Sequence, residues 1–328
     1  MIPINKNKNE VFPILVPVNN KLKSVNFFLV KQENSLTLID AGFNTDDCWL
    51  HLQMTLKMNG YSLRDITEIL LTHHHVDHIG LINRIIAEHP IPVYIHPYAI
   101  PKLKGDPDFL KMRLDFFKNL YQEMDCGEIG EKQVEYFYKK AVQAKDERIH
   151  WDFREITTNQ LFDFDCIEIP GHAPDQVAFY HQASKGLFVG DLLIEHMSIN
   201  AFVEPDSNGN RQKTLVQQKL SLEKCLALSV ETVYSGHGRI IEDPAPLFKK
   251  RIKEIDEKAE SFMEIIRTGV STASEIAQYR YKTKYDKQFF NVMSEVIGYL
   301  DYLEAHGKLN KEFVKGVWRY YPIETYGK

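Results

Sequence analysis

The chain has 328 residues, 44% of them hydrophobic and 26% charged, with a formal net charge of −5. That size predicts a large domain with a smaller companion and enough length to bury a sizeable core. The mildly acidic balance removes any global case for nucleic acid or an anionic membrane as partner, leaving only a local basic patch to argue for one.

No run of 18 apolar residues is available to span a bilayer, so no membrane association is expected. The first residues, "MIPINKNKNE", lack the apolar core of a signal peptide. Cys48, Cys126, Cys166 and Cys225 lie far apart and form no CxxC pair. They read as scattered reduced thiols, which places the expected protein in the cytoplasm. No feature of the pattern specifies an oligomeric state.

Three short apolar segments, at 12–18, 24–31 and 35–42, read as strands separated by turn residues. A helix follows over 45–60, capped by Thr45, with Trp49, Leu52 and Leu56 on one face and Gly60 as its stop. Residues 66–73 read as a buried strand, 79–90 as a helix and 93–99 as another strand. Residues 107–146 change character. Phe109, Met112, Phe116 and Leu120, then Val134, Phe137 and Ala141, recur at helical spacing and predict two amphipathic helices inserted into a β-rich chain. Strands return around 166–171, 176–182, 186–191 and 230–238, with a helix at 214–228. The last part predicts a long helix over 245–269, a second opening on the Thr272–Glu275 capping box, and a third over 288–307. A hairpin turning near Lys315-Gly316 ends the chain, so the order is three helices and a β-wing, a winged-helix pattern.

The chemistry concentrates in "LLTHHHVDHIGLIN" at 70–83, where four histidines and one aspartate occupy positions 73–78. Histidine and aspartate are ordinary metal ligands. On an extended backbone leaving a strand, His73 and His75 share a face and His74 points the other way, where it is expected to hydrogen-bond locally. Asp77 and His78 follow as the chain turns into a helix. Side chains this close can serve two metal ions rather than one.

The run "HHHVDH" resembles the HxHxDH signature of the metallo-β-lactamase-fold hydrolases, and three further elements occur in that family's order. They are "IPGHAPDQ" with His172, "LFVGDLL" with Asp191 and "VYSGHGRI" with His237. The resemblance implies an αββα sandwich over 1–243, carrying the helical insert at about 107–146, and a winged-helix-like C-terminal domain over 244–328. It implies a first metal site of His73, His75 and His172, a second of Asp77, His78 and His237, and Asp191 as the bridging carboxylate. Asp77 and Asp191 become the catalytic residues, and Asp40 in "IDAG" becomes a support behind the ligands. Two divalent ions are implied, with zinc as the default and iron or manganese compatible with the same ligands. A hydroxide bridging two such ions is a nucleophile at neutral pH, so no serine or cysteine nucleophile is needed. His196 in "GDLLIEHMSINAF" falls where related enzymes place substrate contacts.

The chain reads "GHAPDQ" where glyoxalase-II-like members read GHTPGH or GHSPGH, a departure from that subgroup. Its C-terminal segment is more similar to the winged-helix appendage of the group that contains many bacterial metallo-hydrolases and human β-lactamase-like protein 2. The expected reaction is hydrolysis of a small-molecule thioester or lactone, with the insert's aromatic residues as an apolar wall. The competing reading is a metal-dependent endoribonuclease or phosphodiesterase whose winged helix contacts nucleic acid through "KLNKEFVKGVWRYY".

Overall fold

The structure, a computed structural model, describes residues 10–143 and 148–323. Two six-stranded sheets face each other. The first runs in chain order β1 (Glu10–Pro17), β2 (Ser24–Lys31), β3 (Leu36–Ile39), β4 (Glu68–Leu70), β5 (Val93–Ile95), β6 (Arg154–Glu155). The second comprises β7 (Gln160–Leu161), β8 (Phe164–Glu168), β9 (Val177–His181), β10 (Gly186–Gly190), β11 (Thr232–Ser235) and β12 (Ile241–Glu242), again with sequence neighbours paired. Between the sheets Phe28, Val30, Ile39 and Leu70 meet Phe164, Phe179 and Phe188 in one apolar layer.

Helices cover both outer faces. α1 (Asp46–Met58) and α3 (Ile82–Glu88) bury Trp49, Leu52, Leu56 and Ile85 against the first sheet. α7 (Thr214–Leu226) and α8 (Ala245–Arg267) bury Leu222, Phe248 and Phe262 against the second. The expected αββα layering is therefore present.

Several boundaries differ from the sequence expectation. The strand predicted to 73 stops at Leu70: Leu71 still donates its N–H to the Tyr94 carbonyl, but Thr72 donates its own to the Asp40 carboxylate instead of to a neighbouring strand. The helix predicted over 79–90 is shorter, as α3 alone, and a separate single turn, α2 (Val76–Ile79), precedes it. The break falls where Gly80 donates its N–H to the Gly42 carbonyl, and a Cβ on Gly80 would come within 2.4 Å of the Phe43 backbone carbon. The strand predicted to 99 ends at Ile95, and α4 (Ala99–Lys104) follows Pro97.

The insert is the helix pair α5 (Pro107–Glu123) and α6 (Gly127–Gln143); its expected end at 144–146 lies outside the described residues. Asp106 caps α5 by accepting from the Phe109 N–H, with Pro107 in the first turn. In the C-terminal part α9 (Ala273–Tyr281) opens on the Thr272–Glu275 capping box, the short α10 (Thr283–Lys287) intervenes, and α11 (Phe289–Ala305) precedes the hairpin. The hairpin strands are β13 (Leu309–Val314) and β14 (Val317–Pro322). Lys315 and Gly316, at φ 52° and 87°, supply its two-residue turn, and two left-handed residues match the twist of the strands. α8, α9 and α11 share one continuous apolar cluster with α5 and the outer face of the second sheet. No helix among the described residues is long and apolar enough to cross a membrane.

Candidate metal centre

The strand directions bring distant residues to one edge. β3 and β4 are parallel, so Asp40 and the Thr72–His75 stretch leave their sheet at the same end. β10 and β11 are also parallel, so Asp191 and His237 leave theirs together. β8 is antiparallel to β9, and β9 to β10, which points β8 the same way and delivers His172 alongside them. Two backbone bonds join the sheets at this edge, Val177 N–H to the Thr72 carbonyl and Asn26 N–H to the Gly236 carbonyl.

Four histidines are oriented by a hydrogen bond from the nitrogen that faces away from the centre. His172 Nδ1 donates to the Asn200 carbonyl at 2.9 Å, and His237 Nδ1 to the Ser24 carbonyl at 2.8 Å. His78 Nδ1 donates to Asp40 Oδ2 at 2.8 Å. Thr72 Oγ1 donates to Asp40 Oδ2 at 2.8 Å and lies 3.1 Å from His73 Nδ1, whose proton it accepts. Carbonyls and carboxylates can only accept, so Nδ1 carries the proton in each and the Nε2 lone pair is left for the centre. His75 is the exception, presenting Nδ1 inward.

The inward atoms form two adjoining groups. His75 Nδ1 lies 2.9 Å from His73 Nε2 and 3.0 Å from His172 Nε2. His237 Nε2 lies 3.4 Å from Asp77 Oδ2, and His78 Nε2 lies 3.9 Å from Asp77 Oδ1. Asp191 stands between them. Its Oδ2 is 3.3 Å from His172 Nε2, while its Oδ1 is 3.3 Å from His78 Nε2 and 3.2 Å from His237 Nε2.

A family profile for the metallo-beta-lactamase superfamily matches residues 21–237, which span every one of these side chains. The chain belongs to that superfamily. It is 32% identical to the probable metallo-hydrolase YqjP of Bacillus subtilis (strain 168), over 90% of this chain and 92% of the relative. Among solved structures, the metallo-beta-lactamase family protein TTHA1429 of Thermus thermophilus superposes with a TM-score of 0.75 at 21% identity, over 95% of this chain and 98% of that one. A beta-lactamase domain protein from Burkholderia ambifaria gives 0.72 at 18% identity, over 95% and 92%. These two likenesses establish the shared fold, C-terminal part included.

The superfamily binds metal, and the residues here fit an ion. Ligand nitrogens about 2.0–2.1 Å from a tetrahedral ion sit roughly 3.3 Å apart, close to the separations in the His73–His75–His172 group. His78 Nε2, His237 Nε2 and Asp191 Oδ1 are buried and make no hydrogen bond, a costly arrangement unless something else satisfies them. Burial drives His73 and His75 well below the ordinary imidazole range, which keeps them neutral, as ligands must be. At the other group burial opposes the charge of His237, but Asp191 prevails and lifts it to about 9. A cation here takes the place of protons that the same carboxylates already attract.

Two glycines let the walls of this superfamily site close up. A Cβ on Gly190 would lie 2.6 Å from Thr72 Oγ1, and one on Gly236 would lie 2.7 Å from both Asp191 Oδ1 and His78 Cε1. Gly236→Ala is therefore expected to push these side chains apart. Metal affinity should fall about 10–100-fold, as when supporting contacts of ligands are lost, with little change in melting temperature of the metal-free protein. Metal content at limiting concentration, read by mass spectrometry, checks this.

His74 departs from its expectation. It does turn away from the centre, but its bonds are not local. Nδ1 lies 2.6 Å from Asp175 Oδ1 and Nε2 lies 2.5 Å from Lys102 Nζ; His74 and Asp175 are buried and Lys102 partly so. The reason is that His74 is buried on the side away from the centre, where a polar ring must take whatever partners the fold brings. His181 is buried away from the centre, with Nδ1 against Ser184 Oγ. His96 makes a turn contact with the Tyr98 N–H. His196 lies against the backbone beside His237, with Nε2 donating to the Lys21 carbonyl at 2.8 Å. The orienting carbonyls of Ser24 and Asn200 had no sequence signal, since every residue carries one.

Proposed function

We propose that this protein is a dinuclear metal-dependent hydrolase of a small acyl compound, a thioester or a lactone. His73, His75 and His172 would hold one ion, Asp77, His78 and His237 the other, with Asp191 reaching both. The nitrogen-rich set suits zinc, and iron or manganese accept the same donors. When bound, such ions make water nucleophilic at neutral pH and polarise the scissile carbonyl. Asp77, whose side chain keeps 15% of its surface open, can accept a hydrogen bond from that water and orient it. Asp40 and Thr72 hold the rings of His78 and His73 against rotation.

The observation that carries the acyl reading is an aromatic wall. Phe202 faces His172 and His75, at 5.2 and 5.9 Å between ring centres, and stacks on Phe290 at 5.1 Å. Phe290 continues onto Phe117 and Phe137 of the insert. An apolar acyl chain finds matching surface there, and a phosphodiester backbone does not. The wing supports the same preference. Lys311 pairs with Glu304, Arg319 donates to Ser271 and the Trp318 indole donates to Glu123, so these groups are engaged within the chain.

The test is a turnover screen of zinc-, manganese- and iron-loaded protein. Acyl-CoA and glutathione thioesters and lactones are run beside a single-stranded RNA. Ester or thioester turnover that falls at least about a thousandfold in His75→Ala is expected. RNA cleavage that vanishes in that variant, with no acyl turnover in either protein, would overturn the reading.

A further inference from the structure

Beside the candidate metal centre, the described residues form a partly open hollow of about 350 Å³, within the size range of small-ligand pockets. It lies between the loop after Asp191 and helices α7, α8 and α11, and none of the seven candidate ligands lines it. Two lining residues carry buried polar atoms without a partner. Arg251, 8% exposed, commits its terminal nitrogens to Glu254 and to the Ile194 and Glu195 carbonyls, which leaves its Nε–H unused. Gln218, 4% exposed, donates its amide to the Ile199 carbonyl, which leaves its Oε1 unused.

The charges around the hollow run against the acidic balance of the chain. Arg251 and Lys258 sit within it, paired with Glu254 and Glu295. Lys21 and Lys284, both exposed, add two cations with no carboxylate partner among the described residues. Burial, with help from Arg280, brings the Lys258 ammonium down to about 8, so a second anion beside it is favourable. The hollow also touches the centre's frame. Asn200 lines it and bonds the Asn291 carbonyl through its side chain, while its own carbonyl orients His172.

We propose that this hollow is a binding site for a small organic anion carrying a carboxylate or phosphate group, met by Arg251 and Lys258 inside and by Lys21 and Lys284 at the mouth. The site stands independently of the acyl-hydrolase reading, because its test measures binding and needs no turnover. The test titrates the full-length, metal-loaded protein calorimetrically with succinate and, separately, with inorganic phosphate, which distinguishes a carboxylate ligand from a phosphate one. Wild type is expected to bind at least one of them saturably. The double variant Lys258→Met/Lys284→Met removes two charge-assisted contacts and should bind at least about tenfold more weakly. Asn291→Trp alters an exposed position at the hollow, so it should fold normally and abolish binding by filling the space. Absence of saturable binding to wild type overturns the proposal. So does binding that persists unchanged in Asn291→Trp, which marks ions held at the metals or elsewhere.

Discussion

On the proposed dinuclear reading, Asp191→Ala is expected to lower turnover by at least about a thousandfold and to reduce bound metal from two ions to about one. Asp191 approaches both groups of ligand atoms, at 3.2–3.3 Å from His172, His78 and His237. Burial opposes its ionisation, but the charges of His237 and His78 hold its carboxyl well below the usual range, so it stands as an anion between the sites. Without it His78 and His237 retain only Asp77 as an acidic neighbour in their group, and repulsion between two ions goes unscreened. The first group keeps its three nitrogens and should keep its ion. Metal stoichiometry and steady-state kinetics on the same preparation check the prediction. A variant that holds two metals and turns over like wild type would remove the bridging role.

Glu204→Ala is expected to destabilise the fold by about 3 kcal/mol or more, because it strands a buried cation. Arg113 of the insert helix α5 reaches Glu204 with two nitrogens, at 2.7 Å from Nε and 2.5 Å from Nη2, and both side chains are largely buried. The Arg113 guanidinium also covers the rings of Phe117 and Phe137. The pair therefore fastens the insert to the loop that carries Phe202. Thermal unfolding should show a fall of roughly 5 °C or more, while Lys111→Ala, which breaks an exposed pair with Asp115 on the same helix, should leave the midpoint unchanged. The pH dependence has a defined sign. Burial raises the Glu204 carboxyl, but Arg113 and Lys102 prevail and hold it below the ordinary value. Its contribution is thus fully present above the ordinary glutamate value of about 4.3 and is lost as pH falls through the lower folded value. In Glu204→Ala that acid-side loss should be smaller.

The metal-binding run was readable from spacing because its geometry is local. Alternation along an extended backbone separates His73 and His75 from His74, and no tertiary information is needed for that. The partners from later strands were readable only as motifs in an order, and parallel pairing of β3 with β4 and of β10 with β11 is what makes them neighbours. The helical insert and three of the C-terminal helices were readable from 3.6-residue periodicity, and the short α10 was not. What that periodicity does not say is which surface an apolar stripe covers, and here the insert and the C-terminal helices join one cluster on the second sheet.

By itself, then, the amino-acid sequence carried four motifs in an order, and their resemblance to a known family pointed to the superfamily, to its layered fold and to seven polar side chains. Only the tertiary structure decided which nitrogen of each histidine faces inward, through carbonyls supplied by Ser24 and Asn200 from distant loops. It alone drew His74, Asp175 and Lys102 into a chain of contacts, and it alone opened a hollow lined by Arg251 and Lys258. The physical reason is common to all three: a buried polar group must find its partner wherever the fold brings one, and that partner is set by packing across the whole chain rather than by its neighbours in sequence.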